Sequence, residues 1–114
     1  MLLALTAQPI QQEEKPSLQC DIGGIDKQFG GNNWVAYACN DGRTFVMFSK
    51  ADNPATPFYF IIYWKDGGYG IAGEGTGDQQ ASSGAFEELK SMTQAELAAL
   101  NSEIRASAAS SATE

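Results

Sequence analysis

A chain of 114 residues has room for one domain, large enough to bury a core and small enough for a single cross-link to matter. Its 14 acidic and 7 basic side chains leave a formal charge of -7, which repels phosphate backbones and anionic membrane surfaces, so nucleic acid is not an expected partner. Histidine is absent, which excludes a Ser-His or Cys-His nucleophile and a histidine zinc site from this chain alone.

The apolar run from Leu2 to Ala7 is too short to span a bilayer and lacks a basic flank, so it reads either as the remnant of an export signal or as an ordinary terminus. Pro9 and Pro16 break the polar stretch behind it. Residues 1–16 are expected to form a flexible leader, residues 17–106 a single α+β domain, and residues 107–114 a disordered tail that has no apolar anchor beyond alanine. "LQCDI" (18–22) reads as a short strand with Leu18, Cys20 and Ile22 in phase. The following "GGIDKQFGGNN" reads as a glycine-rich loop pinned by Ile25 and Phe29.

Asp41-Gly42 between alternating residues signals a hairpin, with a type I′ turn as the expected geometry. The register follows from that turn. Val35, Tyr37 and Cys39 lie opposite Phe48, Val46 and Thr44 on one face, while Trp34, Ala36 and Ala38 lie opposite Ser49, Met47 and Phe45 on the other. The first face is the expected core. The second, carrying Trp34, Phe45 and Met47, is the expected accessible patch, because the helical segment downstream supplies one main apolar stripe and covers one face. Cys39 has Cys20 as its only possible partner, and two cysteines in an acidic chain of this size favour a disulfide and a periplasmic or secreted setting over two buried thiols.

"FYFIIYW" (58–64), apolar on both sides, is expected to be a central strand. "KDGG" turns it back into "YGIAGEG", whose glycines leave room for large neighbours. "ASSGAFEELKS" starts a short helix with Phe86 and Leu89 inward. A second helix, in "TQAELAALNSEIRAS", carries Leu97, Leu100 and Ile104 on one stripe. Thr93 with Glu96 makes a capping box there, and Met92 with Leu97 a hydrophobic staple. The fold expected is therefore α+β: an antiparallel meander of about five strands with two C-terminal helices packed on one face.

Signals for chemistry are few. "GYGIAG" (68–73) matches a nucleotide-binding glycine pattern, but it lies within a strand and opens no helix, so dinucleotide binding is rejected. "GEGTGD" (73–78) reads first as a connector. Its Gly75 and Thr76 are candidate binding positions, and Glu74, Thr76 and Asp78 hold the oxygens a hard cation would need. Neither a metal site nor a cofactor is expected. Carboxylate catalysis would fall to Glu74 and Asp78, which stand near the aromatic hairpin as acids do in sugar-cleaving sites. Tyr59 and Tyr63 share a strand face and have hydroxyls that require water or a partner.

"YACNDGRTFVMF" (37–48) resembles the Y-x-C-x-x-G hairpin of periplasmic inhibitors of c-type lysozyme, small secreted barrels with a disulfide. The resemblance implies an inhibitory module. The family's Ser-Gly motif leading into an Arg-Tyr pair, and its disulfide to a cysteine near the C-terminus, are not present in this arrangement. More broadly the chain resembles small exported bacterial proteins, which carries no function with it. The expected function is a non-enzymatic, extracytoplasmic binding or inhibitory module whose partner is another protein or a second copy of itself, with no insertion into a membrane. The alternatives are a small carboxylate-dependent hydrolase acting on cell-wall glycan and a structural homodimer module.

Overall fold

The structure, a computed structural model, describes residues 17–112. The leader expected over residues 1–16 lies outside the described residues. Strands β1 (Ile22–Phe29), β2 (Asn32–Ala38), β3 (Phe45–Ser49), β4 (Phe58–Lys65) and β5 (Gly68–Gly75) form one antiparallel sheet in chain order, followed by helices α1 (Gln79–Lys90) and α2 (Gln94–Ala112). This is the α+β meander that the turn signals predict, with both helices on one face.

The β2–β3 register is the expected one, Val35 opposite Phe48, Tyr37 opposite Val46 and Ala38 opposite Phe45. Its connection differs from a type I′ turn. Gly42 has positive φ, whereas Asp41 does not. The Asp41 carboxylate instead accepts from the Arg43 and Thr44 amides at 3.0 and 2.8 Å and from the Thr44 hydroxyl at 2.6 Å, an Asx-type turn that holds the loop from within. The true type I′ geometry occurs in the second hairpin, where Asp66 and Gly67 have φ of 54° and 81°.

The first strand is a correction. "LQCDI" contributes only Ile22, and the stretch expected to be a loop is β1 itself, paired with β2 from Ile22 to Phe29. Gly23 and Gly24, with φ of 97° and 100°, absorb a bulge between Gly23 and Ile25, after which Ile25, Lys27 and Phe29 alternate onto the helix-covered face. Glycines thus disguise an ordinary strand. A Cβ on Gly23 would meet Ile104 at 2.8 Å, so the missing side chain also lets α2 lie directly against β1.

The core is the face carrying Trp34, Phe45 and Met47, all fully buried, so the expectation that these three form an accessible binding patch is overturned. The reason lies in the register of the next strand. Phe45 pairs with Ile62 and Met47 with Phe60, which stacks four large apolar side chains on one face, while Ala36 and Ala38 beside them are small enough to admit a helix. Trp34 sits at 5.2 Å from Phe60 and donates its indole N–H to the Phe29 carbonyl at 3.1 Å, so its polar atom is satisfied inside. Leu89, Leu97, Leu100 and Ile104 complete the core from the helices. Each large side chain so buried contributes about 1.5–3 kcal/mol.

Helix ends follow the sequence closely. The Thr93 hydroxyl accepts from the Glu96 amide at 3.1 Å while Glu96 accepts from the Thr93 amide at 2.8 Å, the capping box in full. Helix α2 then runs past Ala106 to Ala112, helical over residues 107–112 where a disordered tail is expected; residues 113–114 lie outside the described residues. Alanine favours helix strongly enough to extend it without an apolar anchor. Cys20 and Cys39 form the expected disulfide. It is compatible with an extracytoplasmic protein. No helix among the described residues is long and apolar enough to cross a membrane.

Candidate functional site: the uncovered sheet face

With the helices on the face of Trp34 and Phe45, the opposite face carries what the strands alternate outward. Chaining the registers places Asp26, Val35, Phe48, Tyr59 and Glu74 in one row across all five strands, and Tyr37, Val46, Ile61 and Ala72 in the row beside it. Tyr37 meets Phe48 at 6.1 Å between ring centroids, and Phe48 meets Tyr59 at 6.1 Å, so the rings form a continuous run over β2, β3 and β4. Phe48 is 41% exposed and Tyr59 and Tyr63 are each 37% exposed. Phe48, which the sequence places on the expected core face, is the most exposed of the three.

Glycines set the shape of this face. Tyr37 lies over Gly24 and Tyr63 over Gly70, where a Cβ would meet ring atoms at 2.9 and 2.5 Å. The rings lie flat on the two edge strands instead of standing upright. Large neighbours are what the glycines of "YGIAGEG" make room for, as the sequence predicts. Charges sit at the ends of the first row: Lys50 donates to Asp26 at 2.8 Å, and the Tyr59 hydroxyl donates to Glu74 at 3.1 Å. That hydrogen bond, with the field of the same carboxylate, pushes the Tyr59 phenol up. The first row thus has an apolar middle and charged ends.

Tyr59, Gly75 and Thr76, three of the predicted binding residues, come together with Phe48, Thr56 and Pro57 around an open groove of about 610 Å³. Tyr63 stands farther along the same face. Glu74 lines the groove, whereas Asp78 is the N-cap of α1 and accepts from the Gln80 amide at 3.2 Å. Each carboxylate thus has a structural role, one on the outer face and one at a helix start. Among the described residues no group of three or more carboxylates or cysteines converges as a metal site.

Sequence reasoning also missed Arg105. Its guanidinium donates to the Cys39 and Thr44 carbonyls at 2.8 and 3.4 Å and to Asn101 Oδ1 at 3.0 Å, while the Asn101 amide donates to the Gly42 carbonyl at 3.3 Å. This pair latches α2 to the β2–β3 loop beside the disulfide. No local pattern announces it, since the partners lie more than fifty residues apart along the chain. Burial pushes the Asp41 carboxyl up, but hydrogen bonds from the Thr44 side chain and the Arg43 and Thr44 amides, with the field of Arg105, outweigh it and hold the group below its ordinary value.

Comparison of the chain with family models, with curated proteins and with solved structures gives no match.

Proposed function

We propose that the protein is a non-enzymatic binding module, secreted or periplasmic, that docks a partner protein on the uncovered face of its sheet. The observation that carries this is the run Tyr37–Phe48–Tyr59 with Tyr63 beside it: large rings partly in solvent on a face that both helices leave free. Tyrosine and phenylalanine supply contact area at little entropic cost, and an apolar patch of this kind is a liability in a soluble chain unless a partner covers it. The net charge of -7 favours a partner with a basic rim around its own apolar centre. Inhibition, implied by the hairpin resemblance to lysozyme inhibitors, would then be one form such docking takes.

Phe48→Asp and Tyr59→Asp test this. Both side chains point away from the core, so the variants should fold and keep their disulfide while losing the partner that co-purifies with the exported wild type. Retention of that partner by both variants would refute the assignment. A wild type that sediments as a dimer and becomes monomeric on Phe48→Asp would favour the structural homodimer instead.

A further inference from the structure

Strand β5 is an edge of the sheet, and its free side faces a second groove. The two-residue turn at Asp66-Gly67 makes Lys65 and Gly68 the first pair to exchange backbone hydrogen bonds, so Gly70, Ala72 and Glu74 bond inward to β4 while Tyr69, Ile71 and Gly73 point their N–H and C=O groups outward. Two contacts confirm this phase. The Thr76 amide, one step farther in the inward series, donates to the Pro57 carbonyl at 3.0 Å. The outward groups of Tyr69 are both taken by one side chain: its N–H donates to Gln94 Oε1 at 2.7 Å and its carbonyl accepts from Gln94 Nε2 at 3.3 Å. Gln94 thereby closes the edge at Tyr69 as a paired strand would. Among the described residues nothing hydrogen-bonds the outward groups of Ile71 and Gly73.

Alongside these two residues runs a groove of about 590 Å³ between β5 and α1, within the range of ~300–1,000 Å³ typical of ligand sites. Gly73 and Gly75 face it without side chains, so Phe58 and Phe60 form its floor, and Phe86 of α1 stacks on Phe60 at 6.2 Å with an interplanar angle of 6°. Ser82 and Ser83 supply a polar rim from the helix. The ends differ in charge. Asp78, between the lining residues Gly77 and Gln79, stands at the end near Gly75, and Lys90, at 5.1 Å over the Phe86 ring, stands toward the other.

We propose that this edge and groove accept an extended segment of a partner protein as a sixth, antiparallel strand. The segment carries a basic residue at its N-terminal end beside Asp78, a bulky apolar residue at its centre over Phe58 and Phe86, and an acidic residue at its C-terminal end beside Lys90. Backbone hydrogen bonds to Ile71 and Gly73 supply affinity and the groove reads alternate side chains, the general logic of strand addition between an edge strand and a helix. The acid–base polarity of the ends selects direction. The site is distinct from the aromatic outer face, which lies on the other side of the sheet.

The probe is the synthetic peptide acetyl-Lys-Val-Thr-Phe-Thr-Glu-Thr-amide, titrated into the full chain and followed by amide NMR. Saturable binding at millimolar peptide or below is expected, with the Ile71 and Gly73 amides shifting and gaining exchange protection. Replacing the peptide Phe by Ala should weaken binding about tenfold or more. Swapping its Lys and Glu should weaken it too. Peptides N-methylated on alternate amides should divide by register, one set losing binding and the other keeping it. Phe48→Asp protein should bind unchanged, which separates this site from the outer face. Absence of shifts at Ile71 and Gly73, or binding indifferent to both N-methylation registers, would overturn the proposal. So would protection of those amides by concentration-dependent dimerisation of the chain alone, since the occupant would then be a second copy.

Discussion

Two phenylalanines on strand β3 report which face of the sheet is core. Phe45 is fully buried, lies at 6.0 Å from Tyr69 and pairs with Ile62, whereas Phe48 is 41% exposed on the opposite face. Truncating a buried phenylalanine to alanine costs about 3–5 kcal/mol, transfer and cavity terms together. A domain of this size holds ~5–15 kcal/mol in all and loses ~4–8 °C of Tm per kcal/mol, so Phe45→Ala should melt roughly 12 °C or more below the wild type. Phe48 leaves much of its ring in water when folded, and its truncation should cost about 1–2 kcal/mol through lost contact with Tyr37 and Tyr59. Thermal and urea unfolding followed by far-UV circular dichroism, with reversibility established for each variant, measures both. Equal losses, or a larger loss for Phe48→Ala, would show that the helices cover the other face and that the uncovered aromatic surface does not exist.

Titration of the unfolded, unreduced protein should find no free thiol, and the Cys20→Ser, Cys39→Ser double variant should be about 3 kcal/mol less stable through the freed unfolded chain. Because the Asp41 carboxyl is held below its ordinary 3.8, its stabilisation is present above that unfolded value and is lost as pH falls through the folded one. The stability gap between wild type and Asp41→Asn should therefore be constant above about pH 5 and close on further acidification; a gap that widens in acid would contradict the assignment. Glu74→Gln and Asp78→Asn should leave any hydrolytic activity of the purified protein unchanged, and a joint loss would revive the carboxylate mechanism.

Much of the architecture was legible because its determinants are local. The capping box at Thr93, the β2–β3 register and the stripe of Leu97, Leu100 and Ile104 each rest on neighbours within a few residues or on a single turn. What failed was the choice between two apolar faces of one hairpin. That choice is made by β4, whose Phe60 and Ile62 fall in phase with Met47 and Phe45, and by Ala36 and Ala38, which leave the helices somewhere to pack. The tyrosines held the missing signal: Tyr37, Tyr59 and Tyr63 all fall on one face, and hydroxyls in that number argue for water. Strand β1 was hidden by Gly23 and Gly24, which read as loop and act as a bulge. The Arg105 latch could not be read at all, because it joins the last helix to a loop it meets only in the folded chain.

The central claim is that the Tyr37–Phe48–Tyr59 face is the working surface. Its most direct test is site-specific photo-crosslinking in living cells that express the protein, with a photoreactive phenylalanine analogue placed at Tyr59 in one strain and at Glu87, on the exposed side of α1, in another. A discrete adduct with a second protein from Tyr59 alone is the predicted result. Adducts from Glu87 alone, or none from Tyr59, would contradict it.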